Sequence, residues 1–498
     1  MKEIDKTDNY THILKYTGVF GGVQGLSILV GIIRNKLVAL ILGPEGMGLA
    51  SLFNSTIKLV SDSSNLGIGM SAVRNISDDF GSDDVNKLNR SICVIRSWSF
   101  ITAILGFVLC LVMSPLLNKW TFGWGDHTLH FILLSPIIAF MAISSGELAI
   151  LKGTRHLSQL AALSVYNVIG ALITSVPIYY YFGESGIVPS LIVIALIQMS
   201  LVILISYRIF PLKLSFKREV LGEGVSMVKL GIAFVFAGIM GSGADFVIRS
   251  YLNHVGSLNV VGLYNAGFML TMTYAGMVFS AMETDFFPRL SAVHDNVENQ
   301  NQTVNQQIEV SLLLISPMLV FFIIFLPIIL PLLYSGKFMA VLDMIQISAL
   351  AMYMRAIKLP IAYLPLAKGD STSYLLMEAI YDLAIVVLVC TMYHYYGLTG
   401  TGIAITVTSV MDFFMLMSFM HWKYKYAISS NVVKYILCQI PIGILAYVVT
   451  CINNRFIYWS SGMLLIIVSS LISIYILHRK THLWKSLVQH FKRVKVHD

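Results

Sequence analysis

Residues 42–50 of this chain have the sequence LGPEGMGLA, a glycine- and proline-rich turn between two apolar runs within Thr17–Ser77. Each run is long enough to cross a bilayer, which takes about 20 apolar residues. The first run contains Arg34. A guanidinium at bilayer depth costs roughly 3 kcal/mol or more unless it faces protein or water. The two helices are therefore predicted to line a polar cavity.

The rest of the chain is equally apolar. Of its 498 residues, 56% are hydrophobic and 12% are charged, and the mean hydropathy is +0.76. Soluble proteins carry about 25% charged residues, so the chain is predicted to be an all-α integral membrane protein. The net charge of +8 is spread over many short loops, which argues against a nucleic-acid partner. The five cysteines have no paired spacing, so neither a disulfide framework nor a metal site is predicted.

Fourteen apolar runs are long enough to be transmembrane helices. They lie near residues 12–42, 45–73, 91–116, 128–151, 157–182, 186–207, 228–253, 259–288, 308–334, 339–366, 373–396, 399–421, 433–453 and 461–477. Lysine and arginine are concentrated in alternate connections, and cytoplasmic loops are the ones that carry this excess. The outer side then has few basic residues other than Lys36, Lys119, Lys337 and Arg455, so both termini are predicted to be cytoplasmic.

An internal repeat relates the two halves of the chain at an offset of 214 residues. The matching positions are Tyr179–Gly183 with Tyr393–Gly397, Gly186 with Gly400, and Gly48 with Gly262. Each copy holds six spans, an even number, so both copies have the same orientation. A parallel repeat about an axis along the membrane normal is common among transporters. We predict two six-helix lobes related by a pseudo-twofold axis, with the substrate between them.

The predicted domains follow from this repeat. The N-terminal lobe contains residues 1–212, the C-terminal lobe contains residues 213–427, and residues 428–498 add two further spans and a basic tail. The tail is either an interfacial helix on the anionic leaflet or a solvated end of the last span.

Charged residues within spans are the candidate functional residues. Lys58 with Asp62 and Asp245 with Arg249 are spaced i,i+4, so each pair is either a structural ion pair or part of a site. The remaining basic residues within spans lack an acid one turn away and require an anion or acids from other helices. The candidate substrate-binding residues are Arg34, Lys58, Arg249, Arg355 and Lys358.

Four acidic residues within spans are candidates for binding a coupling ion. They are Asp245, Glu147, Asp382 and Asp412. Each of them is also a possible counter-ion of the basic residues, and the sequence leaves both interpretations open.

Three groups of residues resemble a known family over about residues 10–425. They are Gly43-Pro44-x-Gly46-x-Gly48-Leu49-Ala50-x-x-Phe53; Val261-Gly262-x-Tyr264 with Phe286-Phe287-Pro288-Arg289-Leu290-Ser291; and Lys337-Phe338 followed by Lys358 and Ala367-Lys368. In order and spacing they are similar to bacterial polysaccharide flippases of the Wzx type, the O-antigen translocases. These belong to the multidrug/oligosaccharidyl-lipid/polysaccharide exporter superfamily.

The resemblance implies a flippase of the bacterial inner (cytoplasmic) membrane. Its substrate would be an undecaprenyl-diphosphate-linked oligosaccharide, such as an O-antigen unit of lipopolysaccharide or a similar surface-polysaccharide repeat unit. It would move from the inner to the outer leaflet by alternating access, coupled to a proton or sodium ion. A basic cavity would accept the diphosphate, and Arg34 occupies a matching position. Membrane lipids and polysaccharide-assembly proteins are the implied partners, and no cofactor is implied.

Three alternatives remain. A drug/cation antiporter of the same superfamily would favour an acidic cavity, whereas Arg34, Arg355 and Lys358 are basic. A lipid II flippase resembles this chain in having two additional spans, but Asn35 stands where that group carries an acid. A polymerase or ligase of the same glycans would need a sizeable outer loop, which the sequence lacks.

Overall fold

The computed structural model describes residues 6–81, 84–274 and 296–480, and isolated positions between 279 and 293; before residue 25 it describes the backbone alone. All regular structure in these residues is helical, which confirms the predicted all-α class. The part of the predicted basic tail that follows residue 480 lies outside the described residues.

The described helices follow one another along the chain. They are α1 (Lys6–Ser64), α2 (Ile68–Gly81), α3 (Val85–Thr121), α4 (Thr128–Gly153), α5 (Leu157–Phe182), α6 (Ile187–Ile209), α7 (Arg218–Val255), α8 (Leu258–Phe268), α9 (Val297–Leu333), α10 (Leu342–Ala349), α11 (Ala351–Ala362), α12 (Leu364–Ala367), α13 (Ser371–Tyr424), α14 (Ser430–Thr450) and α15 (Arg455–Lys480). Short 3₁₀ segments at Gly183–Gly186 and Gly336–Val341 and a π-helical turn at Met269–Tyr274 complete the described regular structure.

Three of the long helical stretches are broken at a glycine with positive φ. α1 breaks at Gly43 (φ 65°), α5 and α6 meet at Gly183 (φ 57°), and α13 breaks at Gly397 (φ 57°). Glycine adopts this conformation without the steric cost that a Cβ brings. Each stretch therefore forms two helices joined by a sharp turn.

The number of membrane crossings follows from these breaks. In the described part of the chain, eight helices are long and apolar enough to span a membrane, or nine if the bent pair Gly336–Ala349 and Ala351–Ala367 forms one span. Splitting the three broken stretches raises this number to as many as twelve in the described part of the chain, and α7 lies where the sequence predicts the seventh span. The eighth predicted span, 259–288, is described only in part.

The second predicted span ends earlier than expected. Helix α1 stops at Ser64, and the chain turns through Leu66 and Gly67, both with positive φ. The residues that follow form α2, a separate amphipathic helix. Its buried residues Ile68, Ala72 and Ile76 share one face and pack with a cluster from α3 and α4. Their spacing of four residues within a polar sequence is typical of a surface helix.

The repeat is reflected in local backbone geometry. Gly183 and Gly397 have the same φ, and each is followed three residues later by a tightly packed glycine. A Cβ on Gly186 would lie 2.9 Å from the Ile178 carbonyl oxygen. A Cβ on Gly400 would lie 2.1 Å from the carbonyl oxygen of Met392, the residue equivalent to Ile178 at the repeat offset.

The glycines of a second repeat pair contact each other's helices. A Cβ on Gly48 would lie 2.0 Å from the Leu258 carbonyl oxygen, and one on Gly262 would lie 1.8 Å from the Pro44 carbonyl oxygen. Pro44 and Leu258 are themselves related by the offset of 214. The second half of α1 and helix α8 therefore meet backbone to backbone in a contact that is symmetric under the repeat.

Residue contacts divide the chain into two compact units. Unit 1 contains Met1–Leu263 and Leu332–Lys337, and unit 2 contains Tyr264–Pro331 and Phe338–Asp498. Helix α7 belongs to unit 1, where Arg90 of α3 forms an ion pair with Glu223. The lobe boundary that the repeat places at residue 212 stays a prediction.

In unit 2, the two halves of α13 are joined at their far ends. The Asp370 carboxylate accepts hydrogen bonds from Lys423 Nζ (2.5 Å), the Tyr424 hydroxyl (2.6 Å) and Ser373 Oγ (2.8 Å). The lysine, together with these hydroxyls, holds the pKa of Asp370 well below its usual range. This clamp fixes the helical hairpin that carries the acidic residues of the unit.

The last two helices are integrated into unit 2. The Gln439 side chain of α14 bonds to Ser469 (2.8 Å) and Ser473 (3.0 Å) of α15. The Tyr458 hydroxyl donates to the Ile324 carbonyl of α9 (2.6 Å). Gly462 also packs against the Ile324 side chain. These contacts hold α14 and α15 against α9 by both polar and apolar packing.

The charge-based orientation gives the first testable prediction. Single cysteines at the exposed positions Asp126 and Gly256 should react with an impermeant thiol reagent applied outside, whereas cysteines at Asn86 and Lys217 should not. The background is the full chain with its five native cysteines replaced by serine. Labelling is measured in intact cells, and permeabilised cells provide the control. The reverse pattern would contradict cytoplasmic termini.

Candidate functional site

Arg34 lies half-buried on the first half of α1, against α5. Its Nε donates a hydrogen bond to the Ser175 hydroxyl at 3.0 Å. Ser175 is fully buried, and its own proton is donated to the Ala171 carbonyl. The serine therefore acts as an acceptor that fixes the plane of the guanidinium.

The second half of α1 and helix α7 bring together two of the predicted charge pairs. Arg249 forms an ion pair with Asp245 at 2.7 Å, which confirms this i,i+4 pairing, and its Nε donates to Ser51 Oγ at 2.9 Å. Lys58 is exposed and forms no ion pair within 4 Å among the described residues. Asp62 is instead within hydrogen-bonding reach of Ser242.

Glu147 is buried in a hydrogen-bonded ion pair at one end of unit 1. Arg96 donates to both of its carboxylate oxygens, at 2.7 and 3.1 Å, and the Ser206 hydroxyl donates at 2.6 Å. Arg96 also donates to the carbonyls of Phe210 and Pro211. An arginine that donates to both oxygens of a carboxylate forms a strong and geometrically specific ion pair. The contacts favour the counter-ion interpretation of Glu147.

In unit 2, Lys358 and Asp412 form an ion pair between α11 and the second half of α13. The Lys358 ammonium also lies 4.3 Å from the centroid of the Tyr381 ring, in a cation–π arrangement. Both partners of the ion pair are mostly shielded from solvent, with side-chain exposures of 15% and 9%. A cation and an anion with little access to water depend on each other for stabilisation.

Two further acids and one arginine surround this ion pair. Glu378 interacts with Lys358 electrostatically and hydrogen-bonds with Tyr374. Asp382 lies half-buried one turn further along α13. Arg355, one turn before Lys358, donates to the Met272 carbonyl at 3.1 Å and lies 5.6 Å from the Phe279 ring centroid. Among the described residues, no carboxylate forms a salt bridge with Arg355.

The arrangement offers two kinds of chemistry. Arg34 and Arg355 provide guanidinium groups, which bind phosphate oxygens through two parallel hydrogen bonds. We call Lys358, Asp412, Glu378 and Asp382 the Lys358 cluster. It provides several carboxylates and one ammonium, so gain or loss of a proton or small cation would change the contacts of Lys358.

Most of these residues could be predicted from the sequence, but their partners could not. Arg96 was not among the predicted candidate residues, although it is the ion-pair partner of Glu147. The two residues are 51 positions apart, and no local spacing connects them. The available signal was the position of Arg96 near the start of an apolar run.

Comparison with protein families gives one match. The model of a family described as polysaccharide biosynthesis protein matches residues 37–343, which is more than half of the chain. None of the curated protein sequences matches the chain.

Solved structures with the same fold cover most of the chain. The lipid II flippase MurJ in an inward closed conformation is 15% identical with a TM-score of 0.67, over 93% of this chain and 99% of that protein. An inward-facing multidrug resistance transporter of the MATE family, in the MOP superfamily, is 17% identical with a TM-score of 0.66, over 82% and 96%. A MOP superfamily transporter from Pyrococcus furiosus is 15% identical with a TM-score of 0.59, over 82% and 93%. The chain therefore has the fold of these membrane transporters.

Proposed function

We propose that this chain, which belongs to the polysaccharide biosynthesis protein family, is a flippase for an undecaprenyl-diphosphate-linked oligosaccharide. It moves a surface-polysaccharide repeat unit, of the O-antigen kind, from the inner to the outer leaflet of the bacterial cytoplasmic membrane. Translocation proceeds by alternating access and is coupled to a proton or sodium ion. Both termini lie in the cytoplasm, where proteins of polysaccharide assembly have access to them.

The agreement of family and fold carries the proposal. The family match supports a role in polysaccharide biosynthesis. Along nearly the whole chain, the fold is similar to that of a protein that flips lipid II. A polysaccharide pathway needs a transporter where a lipid-linked glycan must cross the membrane. A substrate of this class joins an apolar chain to a sugar through an anionic linker, so its recognition requires cationic groups at membrane depth.

Arg34 and Arg355 supply such groups, one in each unit. Ser175 orients the Arg34 guanidinium, and the Met272 carbonyl orients that of Arg355. A guanidinium stays charged in proteins and presents several N–H donors in a planar fork that matches a phosphate group. Hydrogen bonds to a charged group contribute about 1.5–3 kcal/mol each. We assign both arginines to the diphosphate of the substrate.

The Lys358 cluster is the proposed coupling site. When its carboxylates are ionised, Lys358 is held by Asp412, with Glu378 close by. When a proton or sodium ion neutralises part of this charge, Lys358 is held less strongly and becomes available to the anionic substrate. Asp382 lies on the same helix and is assigned to the same site.

This assignment gives the second testable prediction. Replacement of Lys358 or Arg355 by alanine should impair translocation, and the double variant should be inactive. Asp412→Asn should retain substrate binding but lose the dependence of transport on the ion gradient. Transport is measured in proteoliposomes with and without proton and sodium gradients, and Lys434→Ala, an exposed change near the start of α14, is the matched control. If Asp412→Asn responds to the gradients like the unmodified protein, the coupling role is wrong.

A further inference from the structure

The connection between α6 and α7, residues 210–217, is extended and is fastened to α3 through its backbone. Arg96 donates to the carbonyls of Phe210 (2.9 Å) and Pro211 (2.8 Å). The backbone N–H of Ser215 donates to the Ser97 hydroxyl at 3.1 Å. Because the backbone is held at both ends, the side chains between these points have a defined position.

Residues 212–217 alternate between apolar and polar side chains, and all of them except Ser215 are exposed. Leu212, Leu214 and Phe216 are 51%, 42% and 52% exposed. Lys213 and Lys217 lie between and beside them and are exposed as well. An ordered segment that exposes three large apolar side chains requires a nonaqueous partner.

The neighbouring connection between α4 and α5 adds further positive charge. It touches the first segment where the His156 ring lies 5.8 Å from that of Phe210. Arg155 in this connection has a φ of 57°, a conformation that favours glycine. The equivalent position in the repeat, 214 residues later, is Gly369, with a φ of 72°. An arginine with positive φ carries a conformational cost that a glycine does not. We therefore attribute its presence at this position to a contact of its side chain.

The charge on this surface has one dominant sign. Its exposed basic residues are Lys152, Arg155, Arg208, Lys213, Lys217 and Arg218. Glu219 is the nearby acid on the first turn of α7, and Glu223 is already engaged by Arg90. We call these six basic residues, together with Leu212, Leu214 and Phe216, the basic wedge.

The depth of the basic wedge shows which partner fits it. The Phe216 ring lies 5.8 Å from that of Phe100 on α3. Phe100 lies in the first half of the span predicted at 91–116, whose start is cytoplasmic in the predicted orientation. The Phe216 ring is therefore level with the acyl chains of the cytoplasmic leaflet in that orientation. Basic residues beside such a segment meet the head groups.

We propose that the basic wedge is a binding surface for anionic phospholipids. Leu212, Leu214 and Phe216 insert into the acyl region, and the surrounding lysines and arginines bind the phosphate groups. The surface is separate from the residues assigned to the diphosphate and to ion coupling. It anchors unit 1 to the leaflet that is cytoplasmic in the predicted orientation.

Quenching of a fluorophore attached to the basic wedge measures which lipid lies beside it. Leu214→Cys, in the full chain without its native cysteines, is labelled with bimane and reconstituted in vesicles of phosphatidylcholine with a minor fraction of phosphatidylglycerol. A nitroxide is attached to the head group of one lipid or the other at equal mole fraction. We expect quenching about twofold stronger from labelled phosphatidylglycerol, because basic residues enrich anionic lipid locally.

Variants separate lipid binding from a structural role. Lys213→Glu combined with Lys217→Glu should abolish the preference for phosphatidylglycerol. Arg155→Asn should reduce it without lowering the melting temperature, because asparagine tolerates the same backbone conformation. Lys434→Glu, which makes the same substitution at one exposed lysine outside the wedge, should leave the preference intact.

Two results would overturn the proposal. Equal quenching by the two labelled lipids would show that the wedge does not select anionic head groups. Absence of quenching by both would place Leu214 away from the bilayer and make the wedge a surface for a protein partner instead.

Discussion

Arg34→Ala is expected to abolish translocation of the lipid-linked oligosaccharide while the protein remains in the membrane at near-normal levels. The guanidinium is held at membrane depth by Ser175, and the proposed diphosphate carries strong negative charge. Loss of the bidentate contact removes charge-assisted hydrogen bonds of about 1.5–3 kcal/mol each. The measurement is complementation of surface polysaccharide in a deletion strain, with membrane protein levels determined alongside.

Three variants define the cause of this effect. Arg34→Lys should retain part of the activity, because lysine keeps the charge but loses the planar arrangement of donors. Ser175→Ala should weaken transport less than Arg34→Ala, because it removes the orienting acceptor and leaves the charge. Lys36→Ala is the matched control, because it also removes a positive charge from the first half of α1. The Lys36 ammonium donates to the Leu332 carbonyl at 2.6 Å and is not assigned to the substrate.

Two other results of the Arg34→Ala experiment would be informative. Full complementation by Arg34→Ala would contradict the assignment of this residue to the diphosphate. Loss of the protein from the membrane would show instead that Arg34 has a structural role.

Gly48→Ala and Gly262→Ala should each destabilise the protein and reduce transport sharply. The new Cβ would lie 2.0 Å from the Leu258 carbonyl oxygen in the first variant and 1.8 Å from that of Pro44 in the second. Both neighbours are backbone atoms, so the helices themselves must separate. Overpacking of a close-packed contact costs about 1–3 kcal/mol. Thermal unfolding of the purified protein and transport in proteoliposomes measure the two effects.

The double variant adds a second test of this contact. Both substitutions push apart the same two helices, so their effects on the melting temperature should be less than additive. Gly31→Ala on α1 is the control, because a Cβ at that position has no other atom within 4 Å. If Gly48→Ala melts and transports like Gly31→Ala, the backbone contact between α1 and α8 is not needed.

Much of the fold was accessible from the sequence because membrane helices are long and apolar. The breaks at Gly43, Gly183 and Gly397 coincide with predicted turns, since glycine and proline in an apolar run mark them. Helix α2 was not predicted. Its apolar residues Ile68, Ala72 and Ile76 were assigned to the preceding span or to a polar loop, and only the kink at Gly67 separates them from that span.

For the candidate site, the sequence predicted which residues take part but not most of the ion pairs between them. Local spacing found the pair Asp245–Arg249, because residues four apart share one helix face. It did not find Lys358–Asp412, whose partners are 54 positions apart, or Arg96–Glu147. Pairing between helices depends on how the helices rotate and pack, and a single sequence carries no signal of that.

The most direct test of the account is translocation of a defined substrate by the purified protein. A fluorescent undecaprenyl-diphosphate-linked oligosaccharide is incorporated in proteoliposomes, and an impermeant reductant bleaches the molecules that reach the outer surface. We expect the protein to expose the protected inner pool under an ion gradient. We expect Arg34→Ala to leave this pool protected, and labelled phosphatidylcholine not to be moved. Protection of the inner pool equal to that in protein-free vesicles, or equal movement of phosphatidylcholine, would contradict this expectation.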